Sequence, residues 1–230
     1  MNIAILNMVE GARQAKGLTV VIDVFRAFSV TCYAFDSGAA KVYSVGDLEL
    51  AYRLKEEHPE YLLVGEREEK LPPGFDIGNS PSHLLKTRIK GKTLIHTTSA
   101  GTQGIVNAVN ADEVLTGSFV NAEAIVHYIR DKNPRHVSLV CMGYGAKYPT
   151  EEDTYCAHYI RDRLEDRQTD FESMVKKIRT TSGQRFFIPE KQDFAPEEDF
   201  HLCLNLNRFR FVLRAHGNRE PLLLEKIDVH

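Results

Sequence analysis

Short β-branched runs alternate along this sequence with stretches whose apolar residues recur at helical spacing, and few folds accept that pattern. Leu18-Thr19-Val20-Val21-Ile22-Asp23 is an apolar run ending in a carboxylate, and Ala27 to Ser37 follows as a helix stopped by Gly38. Lys41 to Ser44 repeats the step. Asp47 to His58 comes next, with Leu48, Leu50, Ala51 and Leu54 at helical spacing ahead of Pro59. Further strands are predicted at Tyr61 to Val64, Thr93 to Thr97, Glu113 to Thr116 and Val137 to Cys141. Helices are predicted at Ala100 to Ala108, Ala122 to Asp131 and Thr150 to Leu164, the last opening on Thr150-Glu151-Glu152-Asp153, the pattern of a capping box. After about Gly183 the pattern changes, and Phe200 to Leu206, Phe209 to Ala215 and Leu222 to Ile227 read as strands joined by polar turns, expected as a mixed or antiparallel edge of the sheet. The expectation is an α/β fold: a largely parallel or mixed sheet flanked by helices, with additional strands near the C-terminus.

A chain of 230 residues is long enough to bury a substantial core, and residues 1–230 are read as one domain, with two closely packed lobes as the variant. Nothing resembles a repeat or a flexible linker, and the charge run from Arg161 to Asp170 reads as a solvated helix end. A net charge of −3 without a clustered Lys/Arg tract leaves no electrostatic footprint for nucleic acid. Met1-Asn2-Ile3-Ala4-Ile5-Leu6 lacks both a basic start and a sustained apolar stretch, so neither a signal peptide nor a membrane anchor is expected, and the protein is expected in the cytoplasm. Cys32, Cys141, Cys156 and Cys203 are far apart, which argues for reduced thiols over a zinc ribbon or a disulfide framework. The partner class left is a small molecule. A homo-oligomer is compatible with the sequence.

In open α/β sheets ligands gather where loops leave the carboxyl ends of parallel strands and helix N-termini aim their amides. At those predicted ends stand Asp23, Gly65-Glu66-Arg67, Thr97-Thr98-Ser99-Ala100-Gly101-Thr102, Ser118 to Asn121 and Met142 to Asp153. Asp23, Glu66, Asp76 and Asp153 offer the oxygen ligands a hard cation takes, although each suits a helix cap or a turn equally well. Asp76 serves as readily to build its own glycine-flanked loop. Arg26 and Arg67 present planar forks suited to phosphate or carboxylate oxygens, or else balance the nearby Asp23 and Glu66. Thr97, Thr98, Ser99, Gly101 and Thr102 form either a phosphate cradle or an ordinary strand-to-helix turn, without the Gly-Lys-Ser/Thr of a Walker loop. Asn79-Ser80-Pro81 reads as a helix cap with proline at the first helical position. A thiolate phosphatase is excluded because its Cys-x5-Arg pattern is absent: the sixth residue after Cys141 is Lys147, and after Cys156 it is Asp162. His96 and His158 read as packing or surface residues.

Taken together, Val21-Ile22-Asp23-Val24-Phe25-Arg26-Ala27, Gly65-Glu66-Arg67, Gly74-Phe75-Asp76-Ile77-Gly78-Asn79-Ser80-Pro81 and Thr97 through Thr102 resemble motifs of the 2-phosphosulfolactate phosphatase family, in the same order. Gly117 to Ala122, which ends in the substrate-binding candidate Asn121, extends the similarity. So do Glu152-Asp153, Cys156-Ala157 and the segment Asp199 to Leu204. The resemblance implies a Mg2+-dependent hydrolase that removes phosphate from 2-phosphosulfolactate, a step of coenzyme M synthesis. It favours Asp23, Glu66 and Asp153 as the metal set. Two positions depart from the family pattern: Ala100, where Asn usually precedes the glycine, and Phe28, where a small or hydroxylated residue is usual.

The expected mechanism joins Mg2+ to strand-end carboxylates and phosphate oxygens, with Arg26, Arg67 and loop amides stabilising the transferred group. The attacking group is water or an Asp, with Asp23 best placed for the covalent role, and the general acid is unassigned. A guanidinium pair also implies preference for a small substrate carrying a second anion. The rival reading is a non-catalytic anion-binding or regulatory module that keeps the cleft.

Overall fold

A computed structural model describes residues 1–217 and 219–229. Ten strands are joined into one sheet: β1 (Asn2–Asn7), β2 (Gly17–Ile22), β3 (Lys41–Ser44), β4 (Leu62–Gly65), β5 (Ile77–Gly78), β6 (Thr93–Thr97), β7 (Ala111–Gly117), β8 (His136–Cys141), β9 (Phe211–His216) and β10 (Leu222–Asp228). The helices are α1 (Met8–Gln14), α2 (Ala27–Asp36), α3 (Leu48–Glu57), α4 (Pro81–Leu85), α5 (Gly101–Asn107), α6 (Ala122–Lys132), α7 (Glu151–Leu164), α8 (Phe171–Thr180) and α9 (Glu197–Cys203).

Strand order is β1-β8-β2-β7-β9-β10-β3-β6-β4-β5. The first four strands are mutually parallel, as are β3, β6, β4 and β5. Antiparallel β9 and β10 lie between these blocks, with β9 on β7 and β10 on β3. The C-terminal strands are therefore a central splice, not the edge that their position in the chain suggests. Three antiparallel steps make the two blocks run in opposite senses along the ladder. Strands twist by roughly 20–25° per neighbour, so the six steps from β2 to β4 accumulate roughly 120–150°. The curled sheet thereby turns the carboxyl ends of β2 and β8 toward those of β4 and β6.

Burial follows the strand pattern. β2 is buried along almost its whole length, as a strand covered on both faces requires. One apolar cluster, including Val21, Phe28, Leu84 and Leu94, packs under α2 and α4; another, including Val20, Leu115, Ile125, Leu139 and Ile160, packs under α6 and α7. Phe28 is fully buried in the first cluster, so this departure from the family pattern is a matter of packing.

The strand expected over Phe200 to Leu206 is instead α9 and a turn. Pro196 precedes it and Glu197, Glu198 and Asp199 fill its first turn, where acidic side chains complement the helix dipole. Phe200 and Cys203, three apart, share its buried face. The alternation of apolar residues there imitated a strand. The expected cap Asn79-Ser80-Pro81 is present: the Ser80 hydroxyl accepts from His83 N–H at 3.3 Å and Pro81 opens α4. No helix among the described residues is long and apolar enough to cross a membrane.

Candidate active site

The two parallel blocks meet at a cavity of about 580 Å3 lined by Asp23, Arg26, Glu66, Arg67, Asn79, Ser99, Ala100, Tyr144, Lys147 and Arg185, among others. A larger cavity of about 770 Å3 beside α5, β7 and β9 takes in Asp47, Glu113 and His216, and none of the predicted catalytic or metal residues.

Asp23 leaves β2 almost fully buried, and its Oδ1 accepts from Ala27 N–H at 3.2 Å as α2 begins. Its Oδ2 lies against the start of α5: a Cβ on Gly101 would stand 2.8 Å from that oxygen and 2.8 Å from Ala27 Cβ. Only glycine lets the two helix starts close on this carboxylate. Burial raises the Asp23 pKa to about 7; the nearby Glu66 and Glu152 charges push the same way, against the Ala27 and Gly101 amides.

Asp153 is not a member of a capping box. Thr150 occupies the N-cap without a side-chain bond and its hydroxyl has no partner. Asp153 faces away from its own helix start: Oδ1 accepts from Val24 N–H and Oδ2 from Gly143 N–H, each at 2.8 Å. It therefore clamps the loop after β2 to the loop after β8. Burial first, then the Glu152 and Asp23 charges, hold its carboxyl well above the usual range. Glu152 is also buried, with Oε2 unpartnered, and burial raises its pKa while the Arg185 charge opposes this.

Glu66 faces the cavity with its oxygens held by Ser99 N–H at 2.7 Å, Ser99 Oγ at 3.1 Å and Glu69 N–H at 2.9 Å. Asp76 lies elsewhere, accepting from Leu63 N–H at 2.8 Å and pairing with Lys55 at 3.3 Å. It builds its own loop.

Among the described residues neither arginine is ion-paired with the carboxylate nearest to it in sequence, although Arg67 feels the Glu66 charge. Arg26 Nη1 lies 2.6 Å from Asp199 Oδ2, a fully buried carboxylate of α9 whose Oδ1 accepts from Ser80 Oγ and Ser82 N–H. Arg67 donates to the backbone oxygens of Glu66 and Gly46 at 2.8 and 3.0 Å, and to Thr97 Oγ1 at 2.6 Å.

In the loop after β6, Ser99 and Ala100 line the cavity, while Thr97, Thr98 and Thr102 are buried behind it. Thr98 and Thr102 satisfy each other: Thr98 N–H donates to Thr102 Oγ1 at 3.0 Å and Thr102 N–H to Thr98 Oγ1 at 3.3 Å. Asn121 is buried outside the cavity, where its Oδ1 accepts from Ser118 N–H at 3.2 Å. The structure thus gathers Asp23, Arg26, Glu66, Arg67 and Ser99 at the cavity, sets Asp153, Gly101 and the three threonines behind it, and leaves Asn121 apart.

Arg185, Lys147, Tyr144 and Asn79 reach the cavity without having been singled out as ligands. Arg185 comes from a 3-10 turn far along the chain, and no motif surrounds it. His96, directly behind Asn79, is fully buried; its Nε2 lies 3.5 Å from Asn79 Oδ1, and burial followed by the Arg67 charge lowers its pKa to about 3. The four thiols are free and buried, and burial pushes each of them up, which leaves them unsuited to nucleophilic work.

Carboxylates, guanidinium groups and helix-start amides converging at strand ends define an α/β enzyme that handles a small anion. Comparison with known proteins narrows the class. A family profile described as 2-phosphosulpholactate phosphatase matches residues 5–218. A probable 2-phosphosulfolactate phosphatase of Caldanaerobacter subterraneus subsp. tengcongensis is 38% identical over 84% of this chain and 85% of its own length. Proteins of the same name from Carboxydothermus hydrogenoformans and Bacillus subtilis are 31% and 28% identical, covering 98% and 92% of both chains. The chain belongs to the 2-phosphosulfolactate phosphatase family of phosphoric monoester hydrolases.

Proposed function

We propose that this protein is a Mg2+-dependent phosphatase of small acidic phosphomonoesters, with 2-phosphosulfolactate, hydrolysed to sulfolactate and phosphate, as its substrate. The observation that carries the reading is the pairing of Asp23 and Glu66 with Arg26 and Arg67 on one cavity. Among the described residues no group of three or more His, Cys, Asp or Glu side chains forms a ready-made metal cage. Mg2+ shared with a phosphate needs only one or two carboxylates beside water and phosphate oxygens. Asp23 and Glu66 fit that need, because burial first and then the Glu66 charge raise the Asp23 pKa, and a divalent cation between them would favour both carboxylates in their charged form. Asp153 stands behind them, each oxygen keeping a second lone pair beside its backbone bond. Bound there, Mg2+ would act as a Lewis acid toward phosphoryl oxygens.

The chain's own groups do the rest. Arg26 and Arg67, fixed by Asp199 and by backbone oxygens, hold their positive charge at the cavity wall without reorganising during reaction. Asp23 either attacks phosphorus itself or takes the proton of an attacking water. In both routes an O–P bond forms as the ester P–O bond breaks, and the leaving alkoxide acquires a proton. In the covalent route water then attacks phosphorus, and the acyl O–P bond breaks to return the Asp23 carboxylate. Acid quench or hydroxylamine during turnover separates the two, since only that route passes through an Asp23 acyl phosphate that can be trapped.

The test of the reading is phosphate release from 2-phosphosulfolactate, phospholactate, phosphoglycerate and a neutral phosphomonoester, with Mg2+ and after chelation. Acidic esters should turn over fastest, by roughly ten- to a hundredfold over the neutral one, the value of a charge-assisted contact to a second anion. Chelation should abolish the rate. An undiminished rate in chelator contradicts the metal assignment, and binding without turnover favours the anion-binding module.

A further inference from the structure

We propose that Arg185 and Lys147 form the subsite for the substrate's second anionic group, a carboxylate or sulfonate, and that Glu69 fills this subsite until substrate displaces it. This rests on the phosphatase reading above and adds to it the residues that select the substrate. Arg26 is tied to Asp199 in full burial, and both terminal nitrogens of Arg67 are held by backbone and Thr97 oxygens. Those two guanidinium groups are committed near Asp23 and Glu66, where the phosphoryl group belongs. A second anion needs a second source of positive charge.

Arg185 supplies it on the same cavity. Its guanidinium is walled by aromatic rings, with the centroids of Phe186, Tyr144 and Phe25 at 5.2, 5.3 and 5.9 Å, and Nη2 donates to Phe25 O at 3.2 Å. This orients the planar fork and leaves Nη1 for a carboxylate, now Glu69 Oε1 at 3.1 Å. Glu69 arrives on a tight turn closed by reciprocal Arg67 and Lys70 backbone bonds of 3.0 Å, with Glu68 and Glu69 both at positive φ. Rotation of its side chain alone would vacate the site. Exchanging one carboxylate for another on the same guanidinium costs little, since the pair's attraction is replaced in kind. Lys147 lines the same cavity, is exposed and enters none of the ion pairs among the described residues. It sits in the Gly143 to Tyr148 loop, which carries positive φ at Gly143, Gly145 and Ala146. An arriving anion would meet it first.

With Mg2+ present, the experiment measures binding of inorganic phosphate, and of phospholactate in a form that resists hydrolysis because CH2 replaces the ester oxygen, to the wild type and to Glu69→Gln, Lys147→Met and Arg185→Met. The wild type should prefer phospholactate. Glu69→Gln should increase that preference several-fold, because it neutralises the competitor, whereas a merely structural Glu69–Arg185 pair would lower the melting temperature and leave the preference alone. Lys147→Met should reduce the preference several-fold, and Arg185→Met by about ten- to a hundredfold. Should Arg185→Met fail to fold, the other two variants decide. Phospholactate binding no tighter than phosphate, or a preference unmoved in Glu69→Gln and Lys147→Met, overturns the subsite. Turnover measured in parallel reports on the phosphatase reading alone.

Discussion

His96 stays uncharged near neutral pH because its burial costs the imidazolium its hydration and the Arg67 charge opposes protonation. An unfolded chain takes up this proton below pH about 6.5, whereas the native protein resists until about 3. The contribution to stability is therefore complete above pH 6.5 and is lost as pH falls toward 3. Across that window the native fold should lose up to roughly 1.4 kcal/mol per pH unit through this one residue. Denaturant melts of the wild type and His96→Gln at pH 7 and pH 4 check it: the acid limb should be shallower in the variant, and equal limbs would refute the assignment. At this scale the sequence reading located the carboxylates and missed their partners. Asp23 and Glu66 announce themselves as polar residues closing apolar runs. Arg185 does not, because what brings it to the cavity is its packing against Phe25, 160 positions away, and Tyr144, beside its neighbour Phe186.

The first turn of α7 belongs to the site more than to the helix. Its pattern, Thr150-Glu151-Glu152-Asp153, satisfies the usual signature of a capped start, yet the carboxylate is spent on Val24 and Gly143. Capping boxes are local and can be read from spacing, whereas a clamp between two loops depends on β2 and β8 being neighbours, which only the sheet order reveals. Replacing Asp153 by Ala should strand two backbone N–H groups at roughly 1–3 kcal/mol each, more than the loss of a helix cap, with turnover falling as the two loops part. Melting and phosphate release on the same variant test this; a loss of under about 1 kcal/mol would support the capping reading after all. Elsewhere, apart from β1, α1, β5 and α8, which the sequence did not mark, strands and helices were legible to within a residue or two. α9 was not, since an alternating apolar pattern over seven residues fits a strand as well as one face of a short helix, and the acidic first turn after Pro196 was the deciding signal.

On the scale of the whole molecule, the site exists because the sheet curls. A flat sheet with this ladder would place the ends of β2 and β4 on opposite edges, and Asp23 could not share a cavity with Glu66. The α/β class was legible from the alternation of elements, but the insertion of β9 and β10 between two parallel blocks was not, because strand order is set by packing between distant segments. Bringing buried carboxylates together destabilises the fold, and that cost locates the function. With its pKa raised to about 7 from an ordinary 3.8, Asp23 favours the native state less as pH rises, its stabilising share being complete below 3.8 and lost through about 7. Neutralising it should therefore spare or raise stability above pH 7 in metal-free buffer while removing the group that the proposed reaction uses as nucleophile or base. The most direct measurement is phosphate release from 2-phosphosulfolactate in Mg2+ by the wild type and Asp23→Asn, with melting of both at pH 8 in chelator. The Asp23→Asn rate should be at least roughly a thousandfold lower, about 4 kcal/mol of barrier, with a melting temperature equal to or above the wild type's. A variant that melts lower yet keeps its rate would make Asp23 a structural residue and remove the catalytic centre from this cleft.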